Sequence, residues 1–234
     1  MYFPRLLLLT QASAVFANTE KIIFYGPNNL RFPAEHSALQ EMQLESLSPE
    51  YWSLRTHITT EFPTSSSQYG QTSWFLLHSL QEAQKYEVRV CWAATQPTSF
   101  RLETYELYVV FQTPELISSL AQYSETRQPK VGEVPTPSIW PVKKGMHEDT
   151  SSMLLLRLFA AADYYTTNKT LMEHVPSVYA DLILDPFIFN IFPRSLLPTA
   201  AYIIMVALGS WYIARILSGW INNLSAGHVE KKSS

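Results

Sequence analysis

From Trp52 to Phe62 every second position is apolar or β-branched. Trp52, Leu54, Thr56, Ile58, Thr60 and Phe62 alternate with Ser53, Arg55, His57, Thr59 and Glu61. A period of two with one apolar face predicts a half-buried strand. Lys85 to Ala93 repeats it, with Tyr86, Val88, Val90 and Trp92 opposite Glu87, Arg89 and Cys91. Arg101 to Phe111 does so again, with Tyr105, Leu107, Val109 and Phe111 on one face, and Thr95-Gln96-Pro97-Thr98 forms the turn before it. Lys21 to Tyr25, Ser73 to Leu80 and Val178 to Leu184 are further strand candidates, the last broken by Asp185-Pro186. Met153 to Ala162 is an apolar run interrupted by Arg157. It suits either a buried strand or a short helix, because periodicity alone does not separate the two. Glu115 to Tyr123 is the clear helical pattern, with Leu116, Ile117 and Leu120 on one side.

Short strands at this spacing predict a mainly β fold, a lumenal β-sandwich of immunoglobulin or fibronectin type. Leu80 followed by Tyr86-Glu87-Val88-Arg89-Val90 resembles the tyrosine-corner strand of those sandwiches. Gln128 to Ser152 holds Pro129, Pro135, Pro137 and Pro141 and reads as an exposed linker or long loop.

Two segments depart from this texture. Leu196 to Leu217 is apolar all round with one charge, Arg215. About 20 such residues cross the hydrocarbon core as a helix. Pro198 suits its first turn, and Tyr202, Trp211, Tyr212 and Trp220 lie towards its ends, as interfacial aromatics do. Met1 to Ala17 carries Arg5, then Leu6 to Leu9, then small residues ending at Ala14 or Ala17. That is the layout of a cleaved secretory signal.

Arg215, Lys231 and Lys232 place the positive charge after the span, so the carboxy terminus is expected in the cytosol and residues 18–195 in the lumen. The expected plan is a signal peptide 1–17, a lumenal domain 18–195, a transmembrane helix 196–217 and a cytosolic tail 218–234. Lys231-Lys232-Ser233-Ser234 then resembles a dilysine retrieval signal of the endoplasmic reticulum (ER), an address read by a coat protein. Asn168-Lys169-Thr170 is a lumenal glycosylation acceptor, whereas Asn223-Leu224-Ser225 falls on the cytosolic side.

Composition removes several function classes. The net charge of −3 gives no electrostatic case for nucleic acid. Cys91 is the only cysteine, so the chain forms no internal disulfide. It is either a buried core thiol or an intermolecular partner. Asp181 and Asp185 are four apart without a partner, and His147-Glu148-Asp149 lacks the second histidine of a zinc-protease helix. No glycine-rich phosphate loop or nucleophile elbow occurs. The expectation is a non-catalytic protein with no cofactor and no metal.

Two segments are candidate partner contacts instead. Ala207, Ser210 and Ala214 form a small-residue stripe on the span, and small residues let helices approach closely in lipid. Phe187, Phe189 and Phe192 lie just before the span, where they would meet lipid headgroups, a membrane partner or the core.

The whole layout also resembles a fungal family, the accessory subunit of the second mannosyltransferase of glycosylphosphatidylinositol (GPI) assembly. The residues carrying the resemblance are Asn18-Thr19-Glu20, Ile22-Ile23-Phe24, Leu54-Arg55-Thr56, Phe62-Pro63-Thr64, Ser73 to Leu77, Tyr86 to Ala94, Asp185-Pro186-Phe187 and Phe192 to Leu196. The resemblance implies an ER membrane protein bound to a multispanning catalytic subunit that adds the second mannose to the GPI precursor. It carries over no active-site residue. Two alternatives share the type I layout: an early-secretory cargo receptor and an ER chaperone or enzyme. The first usually has a lumenal disulfide and a heptad coiled coil, neither of which this sequence offers. The second would need a catalytic constellation.

Overall fold

The computed structural model describes residues 18–28, 39, 42–127 and 152–230, with side chains to residue 222. In chain order the strands and helices are β1 Thr19–Tyr25, β2 Glu45–Leu47, β3 Ser53–Ile58, β4 Gln71–Leu80, β5 Lys85–Trp92, β6 Thr98–Glu106, α1 Leu107–Gln112, α2 Pro114–Arg127, β7 Ser152–Ala162, α3 Lys169–Glu173, β8 Val178–Ile188, β9 Phe192–Pro193 and α4 Leu197–Glu230. One sheet runs β1-β5-β8-β3, with β9 paired to β8; the other runs β2-β4-β7-β6. All pairings are antiparallel except β2 with β4.

The expected sandwich is present, and its inner strands follow the immunoglobulin order. In that fold strand E lies between B and D, and C pairs with F. Here β7 lies between β4 and β6, and β5 pairs with β8. The edges differ. β3, which precedes the B-like strand in sequence, takes the place of the final strand beside β8.

Alternation explains the main core. Tyr86, Val88 and Val90 of β5 meet Ala180, Leu182 and Leu184 of β8 and, from the other sheet, Phe75, Leu77, Leu154, Leu156 and Leu158. Leu77 and Leu80 both point inward although they are three apart. A bulge between them, with Ser79 at φ +56°, resets the parity.

Tyr86 forms the anticipated corner. Its hydroxyl accepts the backbone N–H of Gln81 at 3.0 Å, and its ring stacks on Phe24. The corner sits between β4 and β5, at the C-like strand rather than the F-like one. Gly26 makes the close approach possible. A Cβ there would lie 2.0 Å from the Gln81 carbonyl oxygen.

The second sheet is buried on both faces. Trp74, Leu76 and Leu155 point away from the sandwich core and pack under Leu107, Val110, Leu116 and Leu120 of α1 and α2. Full burial of side chains such as Leu120 is worth about 1.5–3 kcal/mol each. Two-sided burial is why Met153–Ala162 reads as continuously apolar, and it is strand β7. Arg157 interrupts that run on the helix-bearing face. Its guanidinium lies 4.4 Å from the Phe159 ring centroid and 5.7 Å from that of Trp74.

Several expectations need correction. Arg101–Phe111 is not one strand: β6 ends at Glu106, and Leu107–Gln112 is helical, burying Leu107 and Val110 one turn apart. The first alternating segment forms a strand only over Ser53–Ile58, with an isolated bridge from Glu61 to Ala161, and Trp52 is exposed just before it. Asp185-Pro186 does not end β8. Leu184 donates its N–H to Trp52, so the nitrogen of Pro186, two residues on, faces the same side, beyond the start of β3 at Ser53. No ladder bond is lost, which is the condition for proline within a sheet. Cys91 is half-buried on the outer face of β5, where its sulfur accepts from the Thr19 hydroxyl at 3.6 Å, and so is not a core thiol. Of the expected loop 128–152, Ser152 already belongs to β7 and is buried; the rest lies outside the described residues, as does the signal 1–17.

Candidate interaction surfaces at the root of the membrane helix

Arg194–Asn222 is long and apolar enough to cross a membrane, and none of it is buried against the sandwich. Helix α4 itself extends through 34 residues, on past Leu217 to Glu230. At 1.5 Å per residue it measures about 51 Å, against about 30 Å of hydrocarbon. Much of the expected 218–234 tail is therefore helical. Lys231 and Lys232 lie outside the described residues.

Ala207, Ser210 and Ala214 are all exposed on α4. Gly209 has no atom within 4 Å of where its Cβ would stand. Among the described residues nothing covers the stripe.

The aromatic segment before the helix forms a tight hairpin. Phe189 and Asn190, at φ +52° and +59°, make the turn between β8 and β9, a backbone suited to two-residue hairpins. Asn190 fixes the tip: its amide donates to the Ala83 carbonyl at 3.0 Å, and its oxygen accepts from the Lys85 N–H at 2.8 Å. The hairpin sorts the three candidate phenylalanines. Phe187 is buried under the Lys85 ammonium, and its carbonyl accepts from Gln84. Phe192 is half-buried, and Phe189 is 91% exposed, with Ile191 beside it at 79%. Two large apolar side chains on a hydrogen-bonded tip just before the candidate membrane span form a ready contact.

Asp185 joins the sandwich to that helix. It is buried, and its two carboxylate oxygens lie 3.2 and 3.3 Å from the Ser195 backbone nitrogen. Ser195 belongs to the single 3-10 turn, Arg194–Leu196, that leads into α4. Directly opposite Asp185 on β5 stands Glu87, also buried, held by Lys21 at 3.0 Å and Arg89 at 3.6 Å. The helix layer covers the second sheet, but among the described residues no element covers the outer face of the first, which carries these charges, and Trp52, Tyr25 and Tyr179 are exposed. Further along, Arg55 grips Asp181 with two bonds of 2.6 and 2.9 Å and holds that carboxyl below its usual range.

Asn168 caps α3. Its side-chain oxygen accepts the Thr170 N–H at 3.1 Å and the residue is exposed, so the acceptor site is accessible. Among the described residues no group of His, Cys, Asp or Glu is placed to hold a metal ion. His57 packs on Tyr179, and His174 ends α3.

The family model Pga1, GPI-Mannosyltransferase II co-activator, matches residues 8–121. Over that segment the chain is similar to the family. The matched segment contains β1 to β6 but neither β7 nor β8, one of the two interior strands of each sheet. The matched part therefore completes its sandwich only with the rest of the chain. No curated protein and no solved structure matches. The juxtamembrane hairpin, the Asp185–Ser195 link and α4 all lie beyond the match.

Proposed function

We propose that this chain is a non-catalytic subunit of the ER membrane that supports addition of the second mannose to the GPI precursor by binding a multispanning mannosyltransferase. The observation that carries the reading is the co-activator family match over residues 8–121. The geometry supports a binding role, because three surfaces are exposed and uncovered among the described residues: the Ala207, Ser210 and Ala214 stripe, the hairpin tip, and the outer sheet face.

In this account α4 docks through its small residues, which bring helix backbones close in lipid. Phe189 and Phe192 press against the same partner from the lumenal side, and buried Phe187 supports the hairpin from within. Lys231 and Lys232 return the complex to the ER through a coat protein.

The test is purification of the tagged full chain in mild detergent, with mass spectrometry of what comes with it. A multispanning mannosyltransferase is expected. Ala207→Leu with Ala214→Leu should lower its recovery several-fold, since interhelical contacts are often worth about 1 kcal/mol each. Recovery of export cargo in place of a transferase would contradict the reading.

A further inference from the structure

A cleft of about 540 Å³ opens at the root of α4. Its floor is the Ile183–Pro186 stretch of β8, left uncovered because β3 starts pairing only at Ser53. One wall carries Glu50 and Trp52, from the connection that leads into β3. The other is Arg194-Ser195 of the juxtamembrane turn, and Arg89 enters from β5. The volume lies within the range of small-molecule sites.

The chemistry of this lining is specific. Two guanidinium groups, Arg89 and Arg194, suit the oxygens of a phosphodiester. Arg194 is exposed, and Arg89 has only a 3.6 Å contact to Glu87 and a side chain 25% exposed. Trp52, 54% exposed, offers an indole face to the apolar side of a ring. Glu50 supplies an acceptor for hydroxyls, while Asp185 is already engaged by the Ser195 N–H. Phosphate alone would not call for the indole or the extra carboxylate. A hydroxylated ring attached to phosphate uses all of them. The position matters as much: Arg194 and Ser195 are the first residues of the candidate span Arg194–Asn222, so the cleft opens at the end of that span, where lipid headgroups would lie.

We infer that this cleft binds the polyol-phosphate headgroup of a membrane phospholipid, of the phosphoinositol class. The inference rests on the co-activator reading and deepens it: the chain would hold a glycolipid headgroup beside its partner as well as bind the partner.

The full chain is reconstituted in phosphatidylcholine nanodiscs containing either phosphatidylinositol or phosphatidylglycerol, which has the same charge but no ring. Native mass spectrometry then counts the lipids retained. Phosphatidylinositol should be retained over both other lipids. Arg89→Gln with Arg194→Gln should cut that retention about tenfold or more. Trp52→Ala should erase the preference over phosphatidylglycerol. Should the double variant unfold, Arg194→Gln and Trp52→Ala, both at exposed positions, carry the test alone. Equal retention of all three lipids, or undiminished retention in the variants, overturns the inference. Displacement of the lipid by equimolar soluble glycerophosphoinositol would overturn the membrane source. No transferase is present in this assay, so its failure leaves the co-activator reading standing. An unchanged precursor profile on depletion of the chain would remove that reading without touching the binding result.

Discussion

The buried carboxylate of Asp185 accepts the backbone N–H of Ser195. This bond couples the inner strand β8 to the first turn below the membrane helix, ten residues further along the chain. Asp185→Ala should leave the Ser195 N–H without its acceptor and cost about 1–3 kcal/mol. Asp185→Asn keeps one acceptor oxygen and should lose less. Thermal unfolding of the full chain in detergent measures both. Equal losses would show that the oxygen's role as acceptor is not what matters.

Tyr86→Phe tests the corner between β4 and β5. It keeps the ring stacked on Phe24 and removes only the oxygen that accepts from Gln81. The expected loss is about 0.5–1.5 kcal/mol, the net worth of one hydrogen bond, because Gln81 is exposed and water can reach its N–H. Tyr86→Ala should cost about 3–5 kcal/mol, because the cavity is added. A Tyr86→Phe variant as stable as the parent would show that the hydroxyl does not hold the corner.

These two residues show what the sequence discloses. Tyr86 stood out because β5 buries one face and alternates cleanly. Asp185 resembled a strand breaker, because nothing local shows that β3 begins too late to face Pro186. Leu107–Gln112 passed for strand because helical spacing over six residues overlaps with alternation. Met153–Ala162 stayed ambiguous because helices cover the far face of its sheet, so both sets of side chains are apolar. The lone charge in that run, Arg157, lies over the ring of Phe159, two residues on, and that of Trp74 on the neighbouring strand. The phenylalanines before the span were visible as a group, yet only the hairpin separates inward Phe187 from outward Phe189. The cleft was not legible at all, because its walls come from four separate stretches of chain.

His78 on β4 gives a pH dependence. Burial holds its imidazole below the ordinary value of 6.5. The unfolded chain then binds the proton more readily, so His78's contribution is fully present above pH about 6.5 and falls as pH drops from there through the folded pKa. The midpoint of thermal unfolding should decrease over that window, and His78→Gln should flatten the decrease. Parallel curves for parent and variant would show that other groups govern it.

Glycosylation reports the topology. Asn168 is exposed at the start of α3, and it should carry an endoglycosidase-sensitive chain that Asn168→Gln removes. Asn223 should carry none. A mobility shift that survives Asn168→Gln and disappears with Asn223→Gln would put the carboxy terminus in the lumen.

The co-activator account is tested most directly by the GPI precursors that accumulate when the chain is depleted. The account predicts a build-up of precursors bearing a single mannose, with reduced surface delivery of GPI-anchored proteins while other secretion continues. An unchanged precursor profile combined with delayed export of a defined cargo set would contradict it.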